Sequence, residues 1–202
     1  TVQDLEGIAP LLTLLNGRNI EATVQAAAAI AELARDNEET QDGVARAGGI
    51  GPLLAMLART PATAAAQSNA ASALAQLARF NRDNQDSMAR MEALPSLALL
   101  LSGESVPDVQ SMAAMAMAEI CRGNTPNQSA AADLGCVGSL VTLLQRTTHT
   151  AVKTETAGAI WVLSDVHEAN KISFAGAGVV KPLVSLLNGS AGERGEMHAV
   201  NG

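Results

Sequence analysis

The sequence predicts an all-helical protein built from tandem repeats. Three observations predict it. A phrase of 43 or 44 residues that starts at Gln41 returns from Gln85, Gln128 and Lys171; apolar residues within each phrase recur at spacings of three and four; and only Phe80, Trp161 and Phe174 are aromatic. The interior must then be filled by Ala, Leu, Val, Ile and Met, whose modest volumes suit closely stacked helices. No period-two alternation of strands interrupts the pattern.

After a short lead-in, Thr1 to Leu5, residues Ile8 to Leu15 match the second helix of the phrase, so the first repeat is expected to lack most of its first helix. Asn16-Gly17 reads as a turn, and a third helix is expected from about Ile20 to Arg35 with Ala27, Ile30, Leu33 and Ala34 facing inward. Asp36 to Thr40 reads as a polar connector. In the second repeat, Gln41 to Ala47 forms a short first helix, Gly48-Gly49 ends it, Ile50 to Leu57 begins the second, Arg59 to Thr63 is a loop, and Ala71, Leu74, Leu77 and Ala78 mark the inner face of the third. The third repeat has Glu92-Ala93 in place of the glycine pair, then Leu97, Leu100 and Leu101, Val106-Pro107-Asp108 as a loop, and a methionine-rich third helix with Met112, Met115 and Met117. The fourth gives Leu134-Gly135, Val137, Leu140, Val141, Leu143 and Leu144, then Ala157, Ile160 and Leu163. The fifth gives Phe174, Gly178, Pro182, Leu183, Val184, Leu186 and Leu187, and stops at Gly202 inside its expected third helix.

The units are therefore about 1–40, 41–84, 85–127, 128–170 and an incomplete 171–202, and the natural chain is expected to continue beyond one or both ends. Pro10, Pro52 and Pro182 share one alignment position with Ser96 and Ser139. Pro is tolerated in a first helical turn and Ser can cap there, so this position is expected to fix the start of the second helix. One unit cannot stand alone. Its few aliphatic side chains stabilise by roughly 1.5–3 kcal/mol each when buried, against about 1–2 kcal/mol of backbone entropy per ordered residue, so stability arises at the interfaces between units.

A net charge of -7 with three lysines works against a nucleic acid partner, because phosphate binding needs clustered cations, and scarce aromatics remove base stacking. No apolar run reaches the roughly 18–20 residues of a membrane helix and no leader opens the chain, so no membrane insertion and a cytoplasmic location, with the nucleus as alternative, are expected. Cys121 and Cys136 fill slots held elsewhere by small residues (Ala34 and Ala78; Gly49 and Ala93) and read as packing residues. His149, His167 and His198 are isolated and read as solvated surface residues; none has metal-ligand spacing. Gly189-Ser190-Ala191-Gly192 lacks the Lys-Ser/Thr of a phosphate loop. No metal, cofactor or catalytic residue is expected, and no enzyme.

The run Gln41 to Ala47, followed by Gly48-Gly49-Ile50-Gly51-Pro52-Leu53-Leu54-x-Met56-Leu57, and Val109-Gln110 leading into an Ala-rich third helix, resembles the armadillo repeat over essentially the whole chain, as about four and a half units. The resemblance implies a right-handed superhelix of helices whose third helices line a concave groove holding extended peptides or partner domains. Family members such as importin alpha and beta-catenin often carry an Asn on the third helix, with a Trp one turn earlier in importin alpha. The matching positions are Glu32, Gln76, Glu119 and Val162, and one turn earlier Ala28, Ser72, Met115 and Gly158, so both ladders are absent. Trp161 lies about 100° from that row and is expected to be a packing residue.

Arg35, Arg79, Arg122 and Asp165 follow three residues beyond the row, near their helical neighbours. Two readings stand: surface ion pairs of little energy, or guanidinium groups along the groove that clamp carboxylates or backbone carbonyls. Met112 and Met115 are either an adaptable apolar patch or core. Gln25, Asn69 and Glu155 extend the row with polar groups, and Ser72 keeps it shallow. The function expected is a non-catalytic scaffold that binds a partner protein or peptide along the groove. The alternatives are a structural subunit of a large assembly of cytoskeletal or axonemal type, with end-to-end contacts through terminal repeats, and the substrate-recruiting arm of a larger enzyme such as a ubiquitin ligase.

Overall fold

A computed structural model describes the backbone of residues 2–58, 63–102 and 104–187, and the side chains of these apart from residues 2–6 and 102. Residues 59–62 of the expected loop, Gly189 to Gly192 and His198 lie outside the described residues. All described regular structure is helical. The first unit holds α1 (Val2–Leu15) and α2 (Ile20–Ala34); the second α3 (Glu38–Arg46), α4 (Ile50–Ala58) and α5 (Ala64–Ala78); the third α6 (Arg82–Arg90), α7 (Ala93–Ser102) and α8 (Pro107–Cys121). The fourth holds α9 (Thr125–Asp133), α10 (Cys136–Arg146) and α11 (Thr150–Ser164), and the fifth α12 (Glu168–Gly176) and α13 (residues 180–187).

The third helices α2, α5, α8 and α11 pack each against the next, and α4, α7 and α10 form a second row behind them. Alanine makes the first row close: Ala71, Leu74, Leu77 and Ala78 are fully buried, as are Ala114, Met117 and Cys121 in the next unit. Leu33 departs from expectation at 50% exposed, while the aligned Leu77, Ile120 and Leu163 are fully buried. The difference is positional, since no third helix precedes α2 among the described residues, whereas α5, α8 and α11 each follow one.

Helix starts differ from the sequence reading in four places. Residues 38–40 are not a connector: α3 begins at Glu38 because the Asn37 side chain accepts from the Thr40 N–H at 3.0 Å. Pro107 is the first residue of α8, where its missing N–H costs nothing, and not part of a loop. Pro10 does not begin a helix, since α1 runs back through it to Val2. Nor does Ser96 cap α7; it lies inside the helix and donates to the Glu92 carbonyl at 3.2 Å.

The break between first and second helices needs a left-handed residue, supplied by Gly48 (φ 80°), Gly135 (φ 78°) and Gly178 (φ 78°), and by Glu92 at φ 61° in the third unit. Gly49 has a separate reason. A Cβ there would stand 2.6 Å from Val44 Cγ1 and 2.9 Å from Leu12 Cδ2, so a larger residue would have to displace both side chains, that of Leu12 in the first unit included.

A polar ladder runs through the stack at the unit boundaries. Asn81 caps α6 by accepting from the Asn84 N–H (3.1 Å), while its Nδ2 donates back to Gln41 Oε1 (3.3 Å) and Asp42 Oδ1 (2.8 Å). Asn124 repeats this, accepting from Asn127 N–H (3.2 Å) and donating to Gln85 Oε1 (3.2 Å) and Asp86 Oδ1 (2.8 Å). The amide of Asn124 is the main cause that holds the Asp86 carboxyl below its usual range. Gln85 Nε2 reaches the carbonyls of Ala78, Glu119 and Arg122, and Asn84, Asn127 and Asn170 each donate to the carbonyl seven residues earlier. The otherwise unpaired carbonyls that end the third helices are thereby satisfied.

His167 holds the ladder position in the fourth boundary. It is half-buried and caps α12 through Nδ1, which accepts from Asn170 N–H at 3.2 Å, while Nε2 lies 2.8 Å from Ser129 Oγ. It is not the solvated histidine expected. No Asn amide reaches the Gln128 side chain there, although Asn170 Nδ2 donates to its main-chain carbonyl at 3.2 Å, and Gln128 Oε1 is buried without a hydrogen-bond partner among the described residues. Asn124→Ala is expected to cost about 2–4 kcal/mol, as a cap is lost and the buried Gln85 acceptor is orphaned. His167→Asn is expected to gain about 1 kcal/mol by serving Gln128 Oε1. Urea denaturation of the two variants checks both signs.

Candidate partner-binding surface

Each third helix ends the same way. A residue in extended conformation (Arg35, Arg79, Arg122, Asp165) is followed by a left-handed one (Asp36 at φ 52°, Phe80 at φ 55°, Gly123 at φ 62°, Val166 at φ 54°), then by the ladder residue that caps the next unit. This sharp turn aligns the four termini along one edge of the third-helix layer. It is also strained at Phe80 and Val166, because Gly123 suits a left-handed conformation and Asp36 tolerates it, whereas β-branched Val166 is least suited to it.

Along this edge the expected residues fall into distinct surroundings. Glu32 and Arg35 form an exposed pair at 2.7 Å, and Glu119 and Arg122 a largely buried fork at 2.8 and 2.9 Å, which holds the Arg122 guanidinium still more firmly protonated. The corresponding pair in the second unit is not made. Arg79 turns to Asp36, 3.5 Å from its Nε, without forming a hydrogen bond, and Gln76, only 5% exposed, has its Oε1 buried and unpartnered. Val162 is 2% exposed, so the fourth position of that row belongs to the core and not to the surface.

Gln25 and Asp165 are exposed and Ser72 is half-buried. Asn69 spends its Nδ2 on the Val24 carbonyl at 3.2 Å, tying α5 to α2. Met112 and Met115 are half-buried against the core, which places both expected readings at the same site: their inner sides pack and their outer sides face solvent. Glu155 is half-buried, and burial together with the nearby Glu119 charge raises its carboxyl above the usual range. The two cysteines are buried, and burial pushes the Cys136 thiol up to about 11 and Cys121 higher still, so both are inert packing groups. Among the described residues no three His, Cys, Asp or Glu converge as metal ligands, and no helix is long and apolar enough to cross a membrane.

Trp161 is the clearest correction. It is 62% exposed, not packed, and its ring lies under the Arg122 guanidinium at 5.7 Å. Phe80, which sequence reasoning passed over, is 76% exposed; Arg79 lies over its ring at 5.5 Å and Arg122 at 6.0 Å. Both aromatics therefore meet one arginine from neighbouring units. Only the place of Phe80 just after the third helix, in a slot filled elsewhere by Asp36, Gly123 or Val166, hints at this in the sequence.

Residues 124–165 match the family model of the Armadillo/beta-catenin-like repeat. The fold of the chain is that of an armadillo-type solenoid. The armadillo units superpose on an engineered protein of known structure at TM-score 0.82 with 29% identity, covering 90% of this chain and 73% of that one. A designed armadillo repeat protein matches at TM-score 0.79 with 25% identity over 88% of this chain and 73% of that one. Computationally designed armadillo repeat proteins for modular peptide recognition match at 0.76 with 27% identity over 89% and 74%. No curated protein matches the sequence.

Two outcomes follow from the buried polar groups of this edge. Gln76→Met, which removes an unpartnered buried acceptor at nearly constant volume, is expected to stabilise the armadillo stack by about 1 kcal/mol in chemical denaturation. Because the raised carboxyl of Glu155 favours folding only when protonated, Glu155→Gln is expected to raise the melting temperature at pH 7. That gain should shrink as pH falls through the folded-state value and vanish below the ordinary carboxylate range near about 4.3. Parallel thermal melts from pH 3 to 8 measure it.

Proposed function

We propose that this armadillo solenoid is a non-catalytic scaffold that binds a protein or peptide partner along the concave face of its third helices. The observation that carries the reading is the edge itself. Four successive third helices end in Arg35, Arg79, Arg122 and Asp165 at equivalent positions, with exposed aromatic rings beside Arg79 and Arg122, whereas polar groups at the unit boundaries are consumed by the ladder. A side chain that repeats at one spacing along a solenoid suits a ligand that extends along it. Solved armadillo designs made for peptide recognition share the fold at 27% identity, which supports the same use of the surface here. Chemistry of its own is not part of this reading; the three arginines of the edge are each held in an ion pair, with Glu32, Asp36 and Glu119.

The test compares affinity capture by the parent with two triple variants of equal helicity by circular dichroism. One carries Arg35→Ala, Arg79→Ala and Asp165→Ala on the third-helix edge, the other Arg46→Ala, Arg90→Ala and Arg146→Ala on first and second helices. The first is expected to lose partners at least about tenfold and the second to keep them. The reverse result would replace the scaffold reading by the architectural one, in which the other helices carry the contacts.

A further inference from the structure

Phe80 combines two features that work against folding. Its ring is 76% exposed, and its backbone stands at φ 55°, a conformation better served by the glycine found at the aligned Gly123. Trp161, the single tryptophan, is 62% exposed on the same edge. Their rings flank the guanidinium of Arg122, whose orientation is fixed from below by the Glu119 carboxylate on Nε and Nη2. That leaves the Nη1 edge of Arg122 without a hydrogen bond among the described residues, and Arg79, over Phe80, uses neither of its Nη groups in one. Trp, Arg and large apolar side chains held rigidly in one cluster are the composition of an interface anchor.

The charges of the cluster decide what it would take. Arg79 faces Asp36, Arg122 is neutralised by Glu119 and further influenced by Asp165, and no guanidinium is left with a net charge to offer. An anionic ligand would meet Asp36, Glu119 and Asp165, and a cationic one the two arginines. A neutral acceptor avoids both conflicts and still satisfies the open N–H edges.

Resting on the scaffold reading above, we propose that Phe80, Arg79, Arg122 and Trp161 form the anchor for an uncharged, apolar segment of a protein partner. The apolar or aromatic side chains of that segment cover Phe80 and Trp161, and its main-chain carbonyls accept from Arg79 and Arg122. The segment spans the edge between the second and fourth units.

The probe is a phage-displayed library of random twelve-residue peptides, panned on the intact chain, with enriched sequences synthesised and titrated while Trp161 emission is recorded. The expected result is enrichment of near-neutral peptides rich in Leu, Met or Phe that shift the Trp161 emission to the blue. Their affinity is expected to fall about tenfold or more in Phe80→Gly, whose melting temperature should be equal to or above that of the parent. Enriched peptides of strongly acidic or basic character would overturn the chemistry proposed. Binders indifferent to Phe80→Gly, or that leave Trp161 emission unchanged, would overturn the anchor while leaving the scaffold in place. Failure to enrich any peptide would overturn the anchor, and the capture experiment above would then decide the scaffold reading by itself.

Discussion

The hydrogen bonds that Asn81 and Asn124 make in two directions hold the rest of the structure in register. Each side-chain oxygen starts the first helix of its own unit, and each amide nitrogen reaches the Gln and Asp of the unit before. The Gln in turn satisfies carbonyls at the ends of two third helices. Hydrophobic burial drives the units together, but it is not directional and would tolerate sliding. The ladder does not, because a shift of one residue would orphan several buried polar groups at once, each costing roughly 1–3 kcal/mol. Where His167 replaces the Asn, the cap survives and the backward bond to the Gln128 side-chain oxygen does not.

That register has consequences at the solvent edge. The sharp turn from third helix to ladder residue forces one left-handed residue per unit, and the chain places Phe80 and Val166 there instead of glycine. It thereby sets Phe80 beside the arginines that end α5 and α8 and leaves Val166 exposed at the equivalent turn after α11. Strain, exposure and an unpartnered Gln76 coincide in the second unit. Such coincidence is expected where a surface has been shaped for contact more than for stability.

The second-unit arginine also shows how one edge can hold different arrangements on one scaffold. Arg122 is gripped by Glu119 in the same helix, whereas Gln76 offers Arg79 no charge and Arg79 crosses to Asp36 in the preceding unit. Equivalent positions in neighbouring repeats thus differ in rigidity and in which donors remain open. A solenoid whose units were identical would lack that distinction.

The sequence by itself determined the helical class, the period, the stacking and most of the core, since these follow from spacing and volume that every unit repeats: Leu74 and Leu77 are buried where their spacing puts them. It also set the glycine break, because the backbone there requires a left-handed residue. The ion pairs Glu32–Arg35 and Glu119–Arg122 were legible too, as neighbours on one helix. Only the tertiary structure decided which members of a row face water. Val162 and Trp161 are adjacent in sequence, yet one is core and the other exposed, and the difference lies in how α11 sits against α8 and α12. The partnership of Phe80 with Arg122 and Trp161 joins residues from three units, and no local spacing encodes a contact made by stacking.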